Sequence, residues 1–160
     1  MRRHNGFSLI ELLIVIAIIL IIASISVPSL LRSKIAANES SAVGAIHAIN
    51  TSEVTYASTY PNYGYTDLSS LGGASPCTPS PTSACLMDPT ITAAGSTHSG
   101  YAFTAIPGMA APALTYTVNA NPQACGVTGT RTFFSDGSYV IRFKATPGCP
   151  AATAADAAIQ

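Results

Sequence analysis

The chain has 160 residues, 48% of them hydrophobic, with a mean hydropathy of +0.38. Seven basic and seven acidic side chains make only 9% of it charged, against about 25% in soluble domains. That balance creates no global field to attract nucleic acid or to steer an acidic substrate.

The first element is a short polar leader, MRRHNG, followed at once by an apolar run. Phe7 to Leu31 is 25 residues with one formal charge, Glu11, about 37 Å as helix and long enough to span a bilayer. A carboxylate in such a run costs roughly 2.5–3.5 kcal/mol at a helix centre and less near the interface, so something should offset it. The small residues of ASIS (Ala23–Ser26) would also serve as a secretory cleavage site. Against that reading, the apolar character continues through Val27, Leu30 and Leu31. Arg2 and Arg3 before the run and Arg32 and Lys34 after it do not settle its orientation.

Beyond Leu31 the helical pattern becomes amphipathic. Leu31, Ile35, Ala42, Ile46, Ile49 and Tyr56 share one face, and Glu39, Ser40, Ser41 and Asn50 are assigned to other positions. Pro28 interrupts the pattern and should bend the axis. The helix should end before Pro61, giving one element from about Phe7 to about Ser58.

Residues 60–97 read as a long connection rich in Gly, Pro, Ser and Thr. From Gly100 the period becomes two. Tyr101, Phe103 and Ala105 alternate, as do Leu114, Tyr116 and Val118. RTFFSDGSYVIRF holds two β-rich runs around Asp136-Gly137, a pair suited to a tight hairpin turn. The expectation is an α+β fold, with a long N-terminal helix packed on a C-terminal antiparallel sheet of about four strands. The alanine-rich tail after Pro150 reads as a frayed or late helical end.

The four cysteines lack C-x-x-C spacing and lie in loop-like sequence beyond the apolar run. Two disulfides formed in an oxidising compartment are expected. Sequential pairing, Cys77–Cys85 and Cys125–Cys149, is favoured among three connectivities.

No nucleophile–base pair, phosphate-binding Gly-rich loop or metal tetrad is visible, so no enzyme, cofactor or metal is read from the chain. His4, His47 and His98 fall on different elements. Asp136 with Ser135 and Ser138 has a faint calcium-loop character that a hairpin turn also explains. Arg131, Arg142 and Lys144 on adjacent strands read as a solvated sheet face before a nucleic-acid patch.

With these residues in hand, the start of the chain resembles a type IV prepilin or a pseudopilin of type II secretion. The resemblance is carried by Arg2, Arg3, Gly6, Phe7, Ser8, Leu9, Ile10 and Glu11, and by the apolar helix with Pro28. It is strongest over the first 31 residues. It implies cleavage between Gly6 and Phe7 by a membrane-embedded prepilin peptidase, with methylation of the new Phe7 amine. It implies that Glu11 pairs with such an amine, commonly that of a neighbouring subunit, during assembly. Loss of Met1–Gly6 leaves five basic against seven acidic side chains, formally −2.

The implied organisation is a leader (1–6), a membrane and filament-core helix (7–31) and an extracytoplasmic head (32–160). The head divides into amphipathic helix (32–59), loop (60–97), sheet (98–144) and tail (145–160). The implied partners are further copies in a helical filament, the peptidase, the assembly machinery and the inner membrane, which the chain spans once with its N-terminus cytoplasmic. A surface or periplasmic fibre follows. A pseudopilin, a minor pilin that binds DNA or another ligand, and a secreted domain remain as alternatives.

Overall fold

The computed structural model describes residues 7–93, 95 and 97–159. It contains two compact units, residues 1–34 and 35–160, and each is described by itself. The helix α1, Leu9–Thr59, contributes its first part to one and the remainder to the other.

In the first unit, α1 carries a surface that is apolar all round. Leu12, Ile16, Leu20 and Ile21 are all half or more exposed. Its most apolar 18-residue window has a mean hydropathy of 3.0, long and apolar enough to cross a membrane. The Ser24 hydroxyl donates to the Ile21 carbonyl at 2.8 Å, so the polar side chain satisfies itself within the helix. Pro28 lies inside α1 and helix continues on both sides of it.

In the second unit, the amphipathic part of α1 lies against a sheet, burying Ala42, Ile46, Ile49 and Tyr56 with Tyr101, Phe103, Tyr116, Val118 and Phe133. Two residues expected elsewhere on the helix, Glu39 and Asn50, are also buried. Leu31 and Ile35 are not. The buried stripe runs 39, 42, 46, 49, 53, 56 in alternating steps of three and four, so both glutamates, Glu39 and Glu53, belong to it.

The sheet has six strands in sequential order, all antiparallel, where about four were expected. They are β1 (Thr97–His98), β2 (Tyr101–Pro107), β3 (Tyr116–Pro122), β4 (Thr132–Asp136), β5 (Arg142–Lys144) and β6 (Ala157–Ala158). The two additional strands are two-residue edges, too short to leave a periodicity in sequence. β6 also overturns the helical expectation for the tail, since Ala157 pairs with Phe143 and Ala158 with Arg142. Large residues stand opposite small ones across the core face, Phe103 with Ala120 and Ala105 with Val118, which lets the layers interlock.

Strand β4 is buried along most of its length. The Thr132 hydroxyl donates to the Pro150 carbonyl at 2.8 Å, so the tail covers what would be an open sheet face. On β3, Tyr116 and Val118 are buried but Leu114 is exposed, because it precedes the strand.

The turn after β4 is longer than a two-residue hairpin. Thr132 pairs with Lys144 and Phe134 with Arg142, leaving residues 137–141 as the loop. The Asp136 carboxylate accepts from the Ser138 amide at 2.9 Å, and the Tyr139 amide donates to the Asp136 carbonyl. Tyr139, rather than Gly137, takes the left-handed conformation, with φ 61°. β5 therefore starts at Arg142, and Tyr139 is not a strand residue.

The connection after α1 is not structureless. It holds two one-turn helices, α2 (Leu68–Leu71) and α3 (Pro89–Thr92), begun by Asp67 and Asp88 side chains that accept from the Ser70 and Thr90 amides. Leu68 and Leu71 reach the core. Gly64, with φ 75°, lies against Ala113, where a Cβ would overlap the Ala113 backbone.

Candidate assembly site

The N-terminal end of α1 is the place where the sequence concentrates its chemistry. The helix begins at Leu9, and the Leu12 amide donates to the Ser8 carbonyl at 3.2 Å. Ser8 therefore occupies the cap position and Glu11 the third helical position, the spacing of a capping box. The first turn of any helix presents unpaired amides and a partial positive charge. A carboxylate at Glu11 is the residue type that offsets them. Phe7, Leu9 and Ile10 are strongly exposed around it. Gly6, with Arg2, Arg3 and His4, lies outside the described residues.

The surface of this segment is uniform in chemistry. Beyond Glu11 there is no charge until Arg32, and all the large apolar side chains face outward. Such a surface is unfavourable in water by about 25 cal/mol for each Å² of apolar area. It needs hydrocarbon or other helices around it.

In the second unit, buried polar side chains tie α1 to the residues packed against it. Glu39 Oε1 accepts from the Thr130 amide (2.9 Å), the Thr130 hydroxyl (2.8 Å) and the Arg131 amide (3.1 Å). Its Oε2 accepts from Arg131 Nε. Burial alone would raise the Glu39 carboxyl, but these donors, with the guanidinium charge, hold it below its ordinary range. The guanidinium also lies over the Phe133 and Phe143 rings, at 5.8 and 5.5 Å.

Further along α1, the Asn50 amide donates to Ser135 Oγ and its carbonyl accepts from the Tyr116 hydroxyl. Glu53 Oε2 accepts from the Thr66 amide, while Oε1 is buried without a partner. Burial pushes Glu53 up to about 7, and the neighbouring Asp67 charge adds to the effect. The Tyr56 hydroxyl donates to the Pro81 carbonyl at 2.6 Å. Each of these four side chains ties the helix to a different part of the head.

The disulfides are Cys77–Cys85 and Cys125–Cys149. The second joins the segments on either side of the β4–β5 hairpin.

The basic patch on the sheet does not remain free. Arg131 is paired with Glu39, Lys144 lies 3.7 Å from Asp156, and Arg142 donates to the Asp156 carbonyl. Among the described residues, no three His, Cys, Asp or Glu side chains gather as a metal site. The Asp136 carboxylate is used in its own turn.

Sequence reasoning missed Glu39, Asn50 and Glu53 as buried linkers. Their signal was present, because they recur on the apolar stripe at helical spacing.

Residues 1–27 match the family described as Prokaryotic N-terminal methylation motif. Over 39 residues the chain is 56% identical to the type IV wide pilus major component PilA4 of Thermus thermophilus. Over this N-terminal segment the chain is similar to a type IV pilin. The aligned stretch covers 24% of this chain and 30% of that relative, less than a third of either. No solved structure matches the chain.

Proposed function

We propose that this chain is the structural subunit of a type IV pilus-like fibre, assembled through the first part of α1. The observation that carries the reading is the outward-facing apolar surface of residues 7–31, with Glu11 as its one charge, on a matched methylation motif. That surface suits both a bilayer and a bundle of like helices, since neither contains water.

Prepilin peptidase cuts between Gly6 and Phe7, and the new Phe7 amine is methylated. The ammonium then neutralises Glu11 of a neighbouring copy. A buried carboxylate is tolerable when paired, and each pair sets the register between subunits. Before assembly the chain spans the inner membrane once with its N-terminus cytoplasmic, and the assembly machinery draws it into the fibre. Pro28 leaves the Ser24 carbonyl without its usual helical donor, so α1 bends or opens there when neighbours pack around it.

The name of the relative favours a pilus over a secretion pseudopilin. The engagement of Arg131, Arg142 and Lys144 disfavours DNA binding. N-terminal mass analysis of the mature chain tests the reading. A chain starting with methylated Phe7 supports it, and one starting near Ser26 overturns it in favour of a secreted domain.

A further inference from the structure

The Tyr65 and Tyr116 rings lie 4.6 Å apart, tilted at 49°, beside an open cleft of about 480 Å³ between the segment before β3 and the turn after β4. That volume lies within the range of small-molecule sites, which combine an aromatic or apolar wall with a few placed polar groups. Here the polar lining residues are Thr115, Thr117, Asp136 and Ser138.

The wall is fixed before any ligand arrives. The buried Tyr116 is held by its hydroxyl on Asn50, and the Tyr65 amide donates to the Ala113 carbonyl. The Asp136 turn is closed by the Ser138 and Tyr139 amides. The Ser138 hydroxyl, helped by its amide, holds the Asp136 carboxyl below its ordinary range, so it is ionised at neutral pH. Among the described residues no Lys, Arg or His lines the cleft; the Arg142 charge acts on Asp136, but its guanidinium donates to the Asp156 carbonyl.

This chemistry selects among ligand classes. An anion would meet the Asp136 charge without a lining cation to receive it. A hydrocarbon would take the Asp136 carboxylate further from water without adding a donor to it, which is costly. A ring with an apolar C–H face and several hydroxyl donors satisfies the half-buried Tyr65, backed by Tyr116, the exposed Leu114 and the acceptors together. We propose that the cleft between Tyr65, Tyr116 and the Asp136–Ser138 turn is a binding site for a neutral saccharide. The inference does not depend on the fibre reading, because the cleft lies within the head.

Full-length chain in a non-glycosidic detergent tests it, by saturation-transfer NMR with glucose, galactose, mannose and N-acetylglucosamine. A parallel arm passes the same chain over dextran, mannan and chitin beads. Binding of at least one free sugar is expected. Retention on beads as well assigns the site to polymeric saccharide, and free-sugar binding without retention assigns it to soluble saccharide. Asp136→Asn keeps an acceptor for the turn and should weaken binding about tenfold by removing the charge-assisted hydrogen bond.

Gly137 supplies a plug, since its φ is not left-handed and an added Cβ would meet only Tyr116 Cε1, at 4.0 Å. Gly137→Leu should abolish binding with the melting temperature unchanged. Three results would overturn the site: no binding of any of the four sugars, binding indifferent to a folded Gly137→Leu variant, or binding of choline in place of sugar.

Discussion

Arg131 Nε donates to Glu39 Oε2 at 2.6 Å, joining the middle of α1 to the residue before β4 across 92 positions of sequence. The bond is one of four that converge on a single carboxylate. Arg131 is partly exposed and Glu39 is not, so the loss should be asymmetric. Glu39→Ala strands the amides of Thr130 and Arg131 and should cost about 2–4 kcal/mol. Arg131→Ala leaves three donors on Glu39 and should cost less. Thermal unfolding of the two variants checks the order, and equal losses would contradict it.

Glu53 should make the head less stable as pH rises. Its folded value, about 7, is above its ordinary value of 4.5, so the folded state holds the proton more tightly. The stabilisation is complete below about pH 4.5 and is lost as pH rises through 7, by up to roughly 3 kcal/mol. Glu39 acts in the opposite sense, since its lowered value contributes stability above the ordinary pKa that fades on acidification. Glu53→Gln should flatten the decline between pH 5 and 8, measured by urea unfolding across that range. An unchanged slope would remove Glu53 as its cause.

The two disulfides should differ in weight. Cys125–Cys149 spans 24 positions and Cys77–Cys85 spans 8. On the chain-entropy account their removal costs about 3.5 and 2.6 kcal/mol respectively. Cys125→Ser with Cys149→Ser should therefore lower the melting temperature more than Cys77→Ser with Cys85→Ser. The reverse order would show that native contacts around the small ring outweigh loop length.

Glu11→Gln should leave membrane insertion and cleavage nearly intact but lower fibre assembly. The amide keeps the length of the side chain and removes its charge, so only the partner amine loses its counter-ion. Sheared-fibre yield, set against the amount of mature chain in the membrane, separates the two steps. Normal yield would sink the role proposed for Glu11.

Gly64→Ala tests how the loop after α1 is seated. The left-handed φ and the overlap of an added Cβ with the Ala113 backbone act together. A loss of about 1–3 kcal/mol is expected, read by thermal unfolding. A neutral result would mean that the 113 region yields.

Much of this protein was legible in its residues because the signals were long and local. A run of 25 residues, mostly apolar and with one acid, announces its environment without reference to any partner. The end of α1 before Pro61 and the alternation of Tyr101, Phe103 and Ala105 follow from backbone rules acting over a few positions. So did the sequential disulfides, which required only nearby loops.

What tertiary structure decided was polar and long-range. Glu39 is polar by type and buried by place, because its donors come from Thr130 and Arg131, which no local pattern associates with it. Edge strands of two residues exist only through their neighbours, and Asp136-Gly137 became a longer turn when the Ser138 amide took the Asp136 carboxylate. Apolar periodicity declares that a face is buried. Only the fold chooses which polar groups meet there, because a hydrogen bond depends on position in space rather than on order along the chain.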